Sequence, residues 1–587
     1  MSERARVRCY YSMVSSFYVQ NFGCRATQAD GAAIERQFEV NGLERTHAIR
    51  DAQIVVLNTC TVTASADQDA RAAIRRVHRE NPQAQIVVTG CYAQRAPEEL
   101  AALPGVSQVI GNSHKHELAS IALVKELHKG PASSSENSFV PLTSLSATWD
   151  SSQRPTLACP EPSEGTNDQR LAPSQRPTSA RPELSEGTAD QRPIFVSDIF
   201  AHTELLAAPV FDAANERTRP NLKVQDGCDN RCSFCVIPYV RGHSRSLRLD
   251  QILAEVRALV TAGYRELVIS GINLGRWGRD LEAGLRSQVS GLRSQASGKQ
   301  AHCDDTFNTA SIDGFGQRPT TNDRRLSFPS LIRAILDHTS LEKLRVSSVE
   351  PMDWSDELIA LMASSPRIAK HAHVPMQSGS DSVLRRMHRK YRPWHYREKI
   401  EKIRAAMPTA AIGADVMTGF PGETDAEFEA TRRMIEDLPF TYLHVFTYSA
   451  RPGTPAAAMP RQVPVQVARE RNRILRELGE QKKLAFLESF VGKTAEAITL
   501  AHGNDASVAA ADAADTQVGE SVPDSFTEAL TDNYLKLHLR GRHPANHWIA
   551  ARVVAFENGC LLAEESTHHS DTESQSEARH MNDFCGA

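Results

Sequence analysis

Thirteen residues constrain this chain more than any others: Asp226-Gly-Cys-Asp-Asn-Arg-Cys-Ser-Phe-Cys-Val-Ile-Pro238. Cys228, Cys232 and Cys235 stand in a Cys-x-x-x-Cys-x-x-Cys spacing. An iron–sulfur cube is normally held by four thiolates, one on each iron. Three thiolates from one short loop would leave the fourth iron open to a ligand that is not protein. A closed zinc site is the alternative, and it wants a fourth Cys or His at short spacing. The nearest candidate, His243, comes only after a Pro-Tyr-Val-Arg-Gly turn. Three ordinary buried cysteines would be the plainest reading, but the spacing itself carries the signal and argues against it.

The bulk numbers narrow the class. A chain of 587 residues is too long for one core and implies several domains. Its net charge of -4, from 67 basic and 71 acidic residues, leaves no global electrostatic footprint for nucleic acid. RNA contact would need local patches. Neither a signal peptide nor an apolar run of about 18 residues is expected, which points to a cytoplasmic protein without membrane contact. In that compartment 11 cysteines argue for metal or redox chemistry rather than disulfides.

Residues 15–130 alternate short apolar runs with amphipathic ones. Ser16-Phe-Tyr-Val-Gln20, Ile54-Val-Val-Leu57 and Ile86-Val-Val-Thr89 read as strands. The helix after the first has Ala32, Ile34 and Phe38 inward, and the next has Ala70, Ile74 and Val77. Fully apolar strands alternating with helices imply a parallel sheet covered on both faces. Cys24, Cys60 and Cys91 each follow a strand end, the edge where such sheets bind ligands. Three in succession suggest a second three-thiolate cluster; buried structural cysteines are the alternative.

From 131 to 213 the composition turns to Ser, Pro, Gln, Arg, Glu and Gly, and residues 152–170 are nearly repeated at 174–192. Two polar, Pro-containing copies cannot build a stacked core, so a disordered linker is expected. A second insert, 281–325, repeats Gly-Leu-Arg-Ser-Gln. Cys159 and Cys303 fall in these segments and are not expected to be ligands. The rest of 214–455 is a β/α alternation with six strands, beginning near residues 222, 266, 343, 372, 411 and 441. A closed (β/α)₈ barrel needs eight, so an open six-stranded partial barrel fits better. Function should lie at the carboxyl ends of its strands. The residues there are Gly271, Asn273, Ser348, Glu350, Gln377 and Asp415, each of which could equally cap the following helix.

A connecting helix is expected at 456–487, apolar at Val467, Ile474 and Leu478. Residues 488–565 read as a small β-barrel with a polar insert at 502–524, one strand alternating Leu535, Leu537 and Leu539 with polar positions. Lys536, Arg540, Arg542 and Arg552 outweigh Asp532 there and are candidate RNA contacts, although a solvated strand face explains so small an excess equally well. The tail, 566–587, is expected to be disordered.

These motifs together resemble a known family. The cysteine loop, with aromatic Phe234 before its last cysteine, resembles that of radical S-adenosylmethionine (SAM) enzymes. With the strand-end cysteines, the chain resembles the radical-SAM methylthiotransferases, which join an amino-terminal cluster domain, a SAM barrel and a carboxy-terminal TRAM domain that binds RNA. Asn58-Thr-Cys-Thr-Val-Thr63, Ala66-Asp67 and Pro238-Tyr-Val-Arg-Gly-His-Ser-Arg-Ser246 resemble the branch that modifies threonylcarbamoyladenosine in tRNA. The branches acting on isopentenyladenosine tRNA or on a ribosomal-protein aspartate differ at Thr61-Val-Thr63.

The resemblance implies two four-iron clusters, on Cys228, Cys232 and Cys235 and on Cys24, Cys60 and Cys91. It also implies SAM, contacted by some of the six strand-end residues, and transfer of a methylthio group to purine C2 beside the anticodon. An electron donor and a sulfur source, both unidentified, would be needed. An iron–sulfur electron carrier or an RNA-binding scaffold is the distant alternative; a carrier would gain nothing from two open irons.

Overall fold

The computed structural model describes residues 16–124, 192–202, 205, 219–281, 326–500 and 526–566. The sequence repeats, the inserts beyond Leu281 and Leu500, and the tail, with Cys159 and Cys303, lie outside the described residues. Residues 123–191 separate as a unit of their own, of which only the first two are described.

The amino-terminal sheet has six strands: β1 (Ser16–Asn21), β2 (Glu44–Arg45), β3 (Ile54–Thr59), β4 (Gln85–Gly90), β5 (Val106–Gly111) and β6 (Ile194–Phe195). They run parallel in the order β2-β1-β3-β4-β5-β6. β3 is buried along its whole length because helices cover both faces, which is why it reads as an unbroken apolar run. Three strands were not expected. β2 pairs only Glu44 and Arg45 with Ser16 and Phe17. β5 carries a buried Gln108 that interrupts its apolar pattern. β6 falls within the stretch read as linker and pairs only Ile194 and Phe195 with Val109 and Ile110; two residues are too few to show a period.

The six expected central strands are present: β7 (Asn221–Asp226), β9 (Glu266–Gly271), β10 (Lys343–Val346), β11 (His371–His373), β12 (Ala411–Thr418) and β13 (Tyr442–Thr447). A short β8 (Arg245–Ser246) folds back antiparallel on β7. The strands form one sheet in the order β10-β9-β7-β8 and another in the order β11-β12-β13. Single parallel bridges, Leu344 to Ile368 and Ser348 to His373, stitch the two across the gap. The result is an open, curved barrel whose core runs from Leu222 to Leu475.

The helix Val465–Glu488 closes its edge, but on a face shifted by one residue from expectation. Ala468, Arg471, Leu475 and Gly479 are buried, whereas Val467 is 38% exposed and Ile474 and Leu478 lie at the margin. An apolar pattern cannot register an arginine turned inward to Glu423 at 2.8 Å, nor a glycine that admits Leu443.

Five strands close the carboxy-terminal barrel: β14 (Thr494–Thr499), β15 (Phe526–Thr531), β16 (Lys536–Arg540), β17 (Trp548–Glu557) and β18 (Cys560–Glu565), in the order β14-β15-β16-β18-β17. Leu535, Leu537 and Leu539 point inward, as their alternation requires. The single strand expected over 531–539 is instead the end of β15, a turn, and β16. That turn docks on the central barrel, where the buried Arg345 donates to the carbonyls of Thr531 and Asp532, each at 2.7 Å. Among the described residues no helix is long and apolar enough to cross a membrane.

Candidate active site

β7 ends at Asp226, and the chain must then turn sharply to present the cysteines. Gly227 does this at a φ of 70°, and a Cβ there would lie 1.9 Å from the His243 carbonyl, so only glycine fits. The loop is tied down at several points. Cys228 N–H donates to Gly242 at 3.1 Å and Ser233 N–H to Met387 at 3.1 Å. The Phe234 ring meets Phe420 edge-on. Hydrogen-bond donors aim at the sulfurs: Asn230 N–H at 3.4 Å and Asn273 Nδ2 at 3.7 Å on Cys228, and Arg389 at 3.3 Å on Cys232. Burial, reinforced by the neighbouring thiols, pushes Cys228 up to about 11 and Cys235 up to about 12. His243, the fourth ligand a zinc site would need, turns instead to Asp229 at 2.9 Å on the surface.

The second triad follows from strand order. β1, β3 and β4 are adjacent and parallel, so the residues just past their ends are neighbours. Cys24 caps the helix Arg25–Val40, Cys60 follows β3, and Cys91 opens the helix Cys91–Arg95. A Cβ on Gly23 would lie 2.8 Å from Cys60 Sγ, and Asn112 donates to Cys91 Sγ at 3.6 Å. Burial and then Cys91 push Cys60 up to about 12. Cys91 packs on Val236, the residue directly after Cys235, and on Val240, one helical turn further. One cysteine of the amino-terminal triad therefore packs against the helix that follows the cysteine loop.

Gly90 aims Cys91. Its φ of 100° and ψ of -163° belong to a region essentially closed to other residues, and a Cβ would stand 2.2 Å from the Thr59 carbonyl. Gly90→Ala is expected to lose about 1–3 kcal/mol to backbone strain alone. Gly263→Ala, at a φ of 92° with open space around it, carries a positive-φ penalty without any clash. In urea unfolding Gly90→Ala should be the worse of the two; equal losses would mean that the Thr59 contact adds nothing.

Behind the triads lies a buried ion cluster joining the two domains. Asp30 meets Lys115 and Arg241 at 3.0 Å each and also Lys223, while Asp226 meets Lys223 and Arg241 at 2.9 Å. Burial alone would raise the Asp30 carboxyl, but Lys115, Lys223 and Arg241 outweigh it and hold it well below the usual range. A second tie joins Asp67 to Arg95 at 2.9 Å and to Arg451. Thr61 shares that tie, accepting from Arg451 at 2.9 Å, and Thr63 caps the next helix by accepting from Ala66 N–H at 3.1 Å. Of Thr61-Val-Thr63 only Val62 therefore reaches the cavity.

The cavity measures about 940 Å³ and opens between the cluster domain, the barrel and the carboxy-terminal turn. Cys24 and Arg25 form one wall, Ser270, Gly271 and Ser348 another, and Tyr534 reaches in from the turn. Asp415 projects into it from the middle of β12, held by His373 and His444 at 3.3 Å each. Their hydrogen bonds overcome burial and keep its carboxyl well below the usual range. Among the described residues this His–Asp–His group is the one whose three ligand atoms lie within 4.8 Å of each other.

Comparison with known proteins agrees with this architecture. The profile of the Uncharacterized protein family UPF0004 matches residues 16–111, and that of the Radical SAM superfamily matches residues 222–282 and 304–435. The threonylcarbamoyladenosine tRNA methylthiotransferase MtaB of Rickettsia prowazekii is 31% identical, over 81% of this chain and 86% of that protein. The chain belongs to the radical-SAM methylthiotransferase family. The MtaB of Bacillus subtilis is 29% identical over 88% of this chain and 89% of its own length. A tRNA-2-methylthio-N(6)-dimethylallyladenosine synthase from Novosphingobium aromaticivorans is 28% identical over 83% and 87%.

A radical-SAM methylthiotransferase of this type is a tRNA-modifying enzyme with two four-iron clusters and SAM. The residues present fit those groups. Each triad gathers three thiols, and amide or guanidinium donors already face the sulfurs that ligation would make anionic.

The remaining sequence candidates divide. Gly271, Ser348 and Asp415 line the cavity, and Asn273 lies against Cys228. Glu350 does not face the cavity: it binds Arg389 in a small crevice beside Cys232. Gln377, at a φ of 62°, donates its N–H to Asp415 O at 2.8 Å and receives Met417 N–H at 2.9 Å, and its side-chain oxygen is buried without a partner. Among the basic candidates, Lys536 lies 3.9 Å from Glu528 and Arg540 2.7 Å from Glu564, so adjacent strands cancel part of the expected excess. Arg542 and Arg552 are exposed. The sequence reading missed Asp30, Arg241, Arg389, His373, His444 and Tyr534. A lysine within the buried strand Leu222-Lys-Val-Gln225 was the one visible sign that a buried carboxylate had to be near.

Proposed function

We propose that this enzyme adds a methylthio group to purine C2 of threonylcarbamoyladenosine, just 3′ of the tRNA anticodon. Cys228, Cys232 and Cys235 hold the SAM-binding cluster, and Cys24, Cys60 and Cys91 hold the second. The carrying observation is that Cys91 packs on Val236, the residue after Cys235, and that Cys24 and Gly271 line one cavity. When bound, the clusters and SAM supply the one-electron chemistry and the sulfur and methyl groups.

The chain's own residues bind, orient and exclude water. Asn273 and Arg389 hydrogen-bond the loop sulfurs and fix their positions. Ser270 and Ser347 carry buried hydroxyls without partners at the cavity wall, which suits them to a polar ligand such as SAM. Gly271 leaves room for that ligand, Asn273 and Ser348 flank it, and Asp415 offers a fixed acceptor. Glu350 and Gln377 act from outside it by supporting Arg389 and the β12 backbone. An unpaired anticodon-loop base can be splayed out to enter such a cavity. Lys536, Arg540, Arg542 and Arg552 would steady the RNA backbone without reading bases.

The test is to give the reconstituted enzyme tRNA bearing threonylcarbamoyladenosine, tRNA bearing isopentenyladenosine, and ribosomal protein. Mass spectrometry should find the methylthio mark on the first. Modification of either other substrate with the first untouched would overturn the substrate and leave the chemistry standing.

A further inference from the structure

The turn between β15 and β16 projects an aromatic side chain from the carboxy-terminal barrel into the cavity. Tyr534 takes a φ of 65°, a left-handed conformation that a bulky residue adopts only when its surroundings enforce it. They do so here. Arg345 holds the carbonyls of Thr531 and Asp532, and Asn533 donates to the Thr409 carbonyl at 2.8 Å. The Tyr534 ring lies under the Arg345 guanidinium at 4.2 Å and meets His371 edge-on at 4.4 Å. Arg25, the residue directly after Cys24, lines the same cavity and lies near the Tyr534 hydroxyl.

The charges around this hydroxyl do not balance. Arg345, Arg25 and Arg219 surround it; Glu266 pairs with Arg345, and Asp532 is shared between Arg345 and Lys370. Among the described residues neither Arg25 nor Arg219 forms an ion pair with a carboxylate. His371 adds no charge, because burial and His373 hold it neutral. Burial would raise the Tyr534 phenol, but the three guanidiniums outweigh it and lower it. Asp415, the one carboxylate among the described residues that line the cavity, lies 3.3 Å from each of two histidines.

We propose that Arg25 and Tyr534, backed by Arg345 and Arg219, form a carboxylate-binding subsite for the amino-acid end of the threonylcarbamoyl group. The inference rests on the substrate reading above and adds how that substrate is told apart. A threonylcarbamoyl group carries a carboxylate; an isopentenyl group is wholly apolar and would leave these cations unanswered. Gripping the carboxylate at Arg25 would also hold the attached purine beside the amino-terminal triad.

The test compares kcat/KM of the reconstituted enzyme on two anticodon stem-loops, one with threonylcarbamoyladenosine and one with its threonine carboxylate converted to the carboxamide. The wild type is expected to prefer the acid about tenfold or more, as for a charge-assisted contact with no substitute. Arg25→Gln and Tyr534→Phe should each lose most of that preference through KM at unchanged iron content, and Arg25→Lys should restore part of it. A wild type that treats acid and amide alike, or variants that lose both substrates equally, would overturn the subsite while leaving the substrate reading intact. A wild type inactive on the acid but active on isopentenyladenosine would overturn both.

Discussion

Joint replacement of Cys228, Cys232 and Cys235 by alanine is expected to reduce the iron bound after anaerobic reconstitution from about eight to about four per chain. The same variant should lose all SAM cleavage, because the proposed assignment places the SAM-binding iron on that triad. Replacing Cys24, Cys60 and Cys91 should also leave about four irons, but with SAM cleavage preserved and methylthiolation abolished. The two variants separate because their thiols come from different domains: one triad lies on a single loop, the other on three strand ends. Iron assay, electron paramagnetic resonance and detection of 5′-deoxyadenosine read the outcomes independently. An amino-terminal triple variant that kept its full iron would end the assignment of the second cluster.

Asp30→Asn should be the most damaging single change that touches neither triad. Lys115, Lys223 and Arg241 share Asp30 and Asp226, and all five side chains are buried. The cluster already carries one excess positive charge, and removing a carboxylate leaves two. Breaking a buried pair by deleting one partner costs about 3–5 kcal/mol. Because Asp30 and Lys115 come from the cluster domain and Lys223 and Arg241 from the barrel, the loss should loosen the seam that brings the triads together. Thermal unfolding should shift down strongly, and a second change, Lys115→Met, should recover part of the loss by restoring balance. No shift in the single variant would show that the network does not hold the seam.

The pH dependence follows from the same residues. Cations hold Asp30 and Asp226 below the usual carboxyl range in the folded state. Their contribution is therefore complete above the unfolded value of about 4 and is lost as acid approaches the lower folded values. Wild type and variant should differ most above about pH 4 and converge in strong acid.

Much of the site was legible from local pattern. The three-cysteine loop is contiguous, so its spacing alone declares it. Cys24, Cys60 and Cys91 are far apart in sequence, yet each stands at the end of an apolar strand, and a parallel sheet sets such ends side by side. The six barrel strands showed themselves by runs such as Ile412 to Met417, and the carboxy-terminal barrel by the alternation at Leu535, Leu537 and Leu539. What local pattern could not show was pairing across distance. β6 is two residues long and is a strand only because β5 is beside it. The basic residues of β16 looked like a patch until folding set Glu528 and Glu564 against them.

Asp30, Arg241 and Tyr534 are unremarkable in sequence, because a buried charge or a strained aromatic is defined by partners hundreds of residues away. Asp30 and Lys223 are 193 positions apart. The sequence by itself determined which residues could ligate and which segments could be strands, since both depend on spacing of a few residues. Only the tertiary structure decided which charges are answered and which way the cavity faces. Those properties are sums over neighbours, and folding chooses the neighbours.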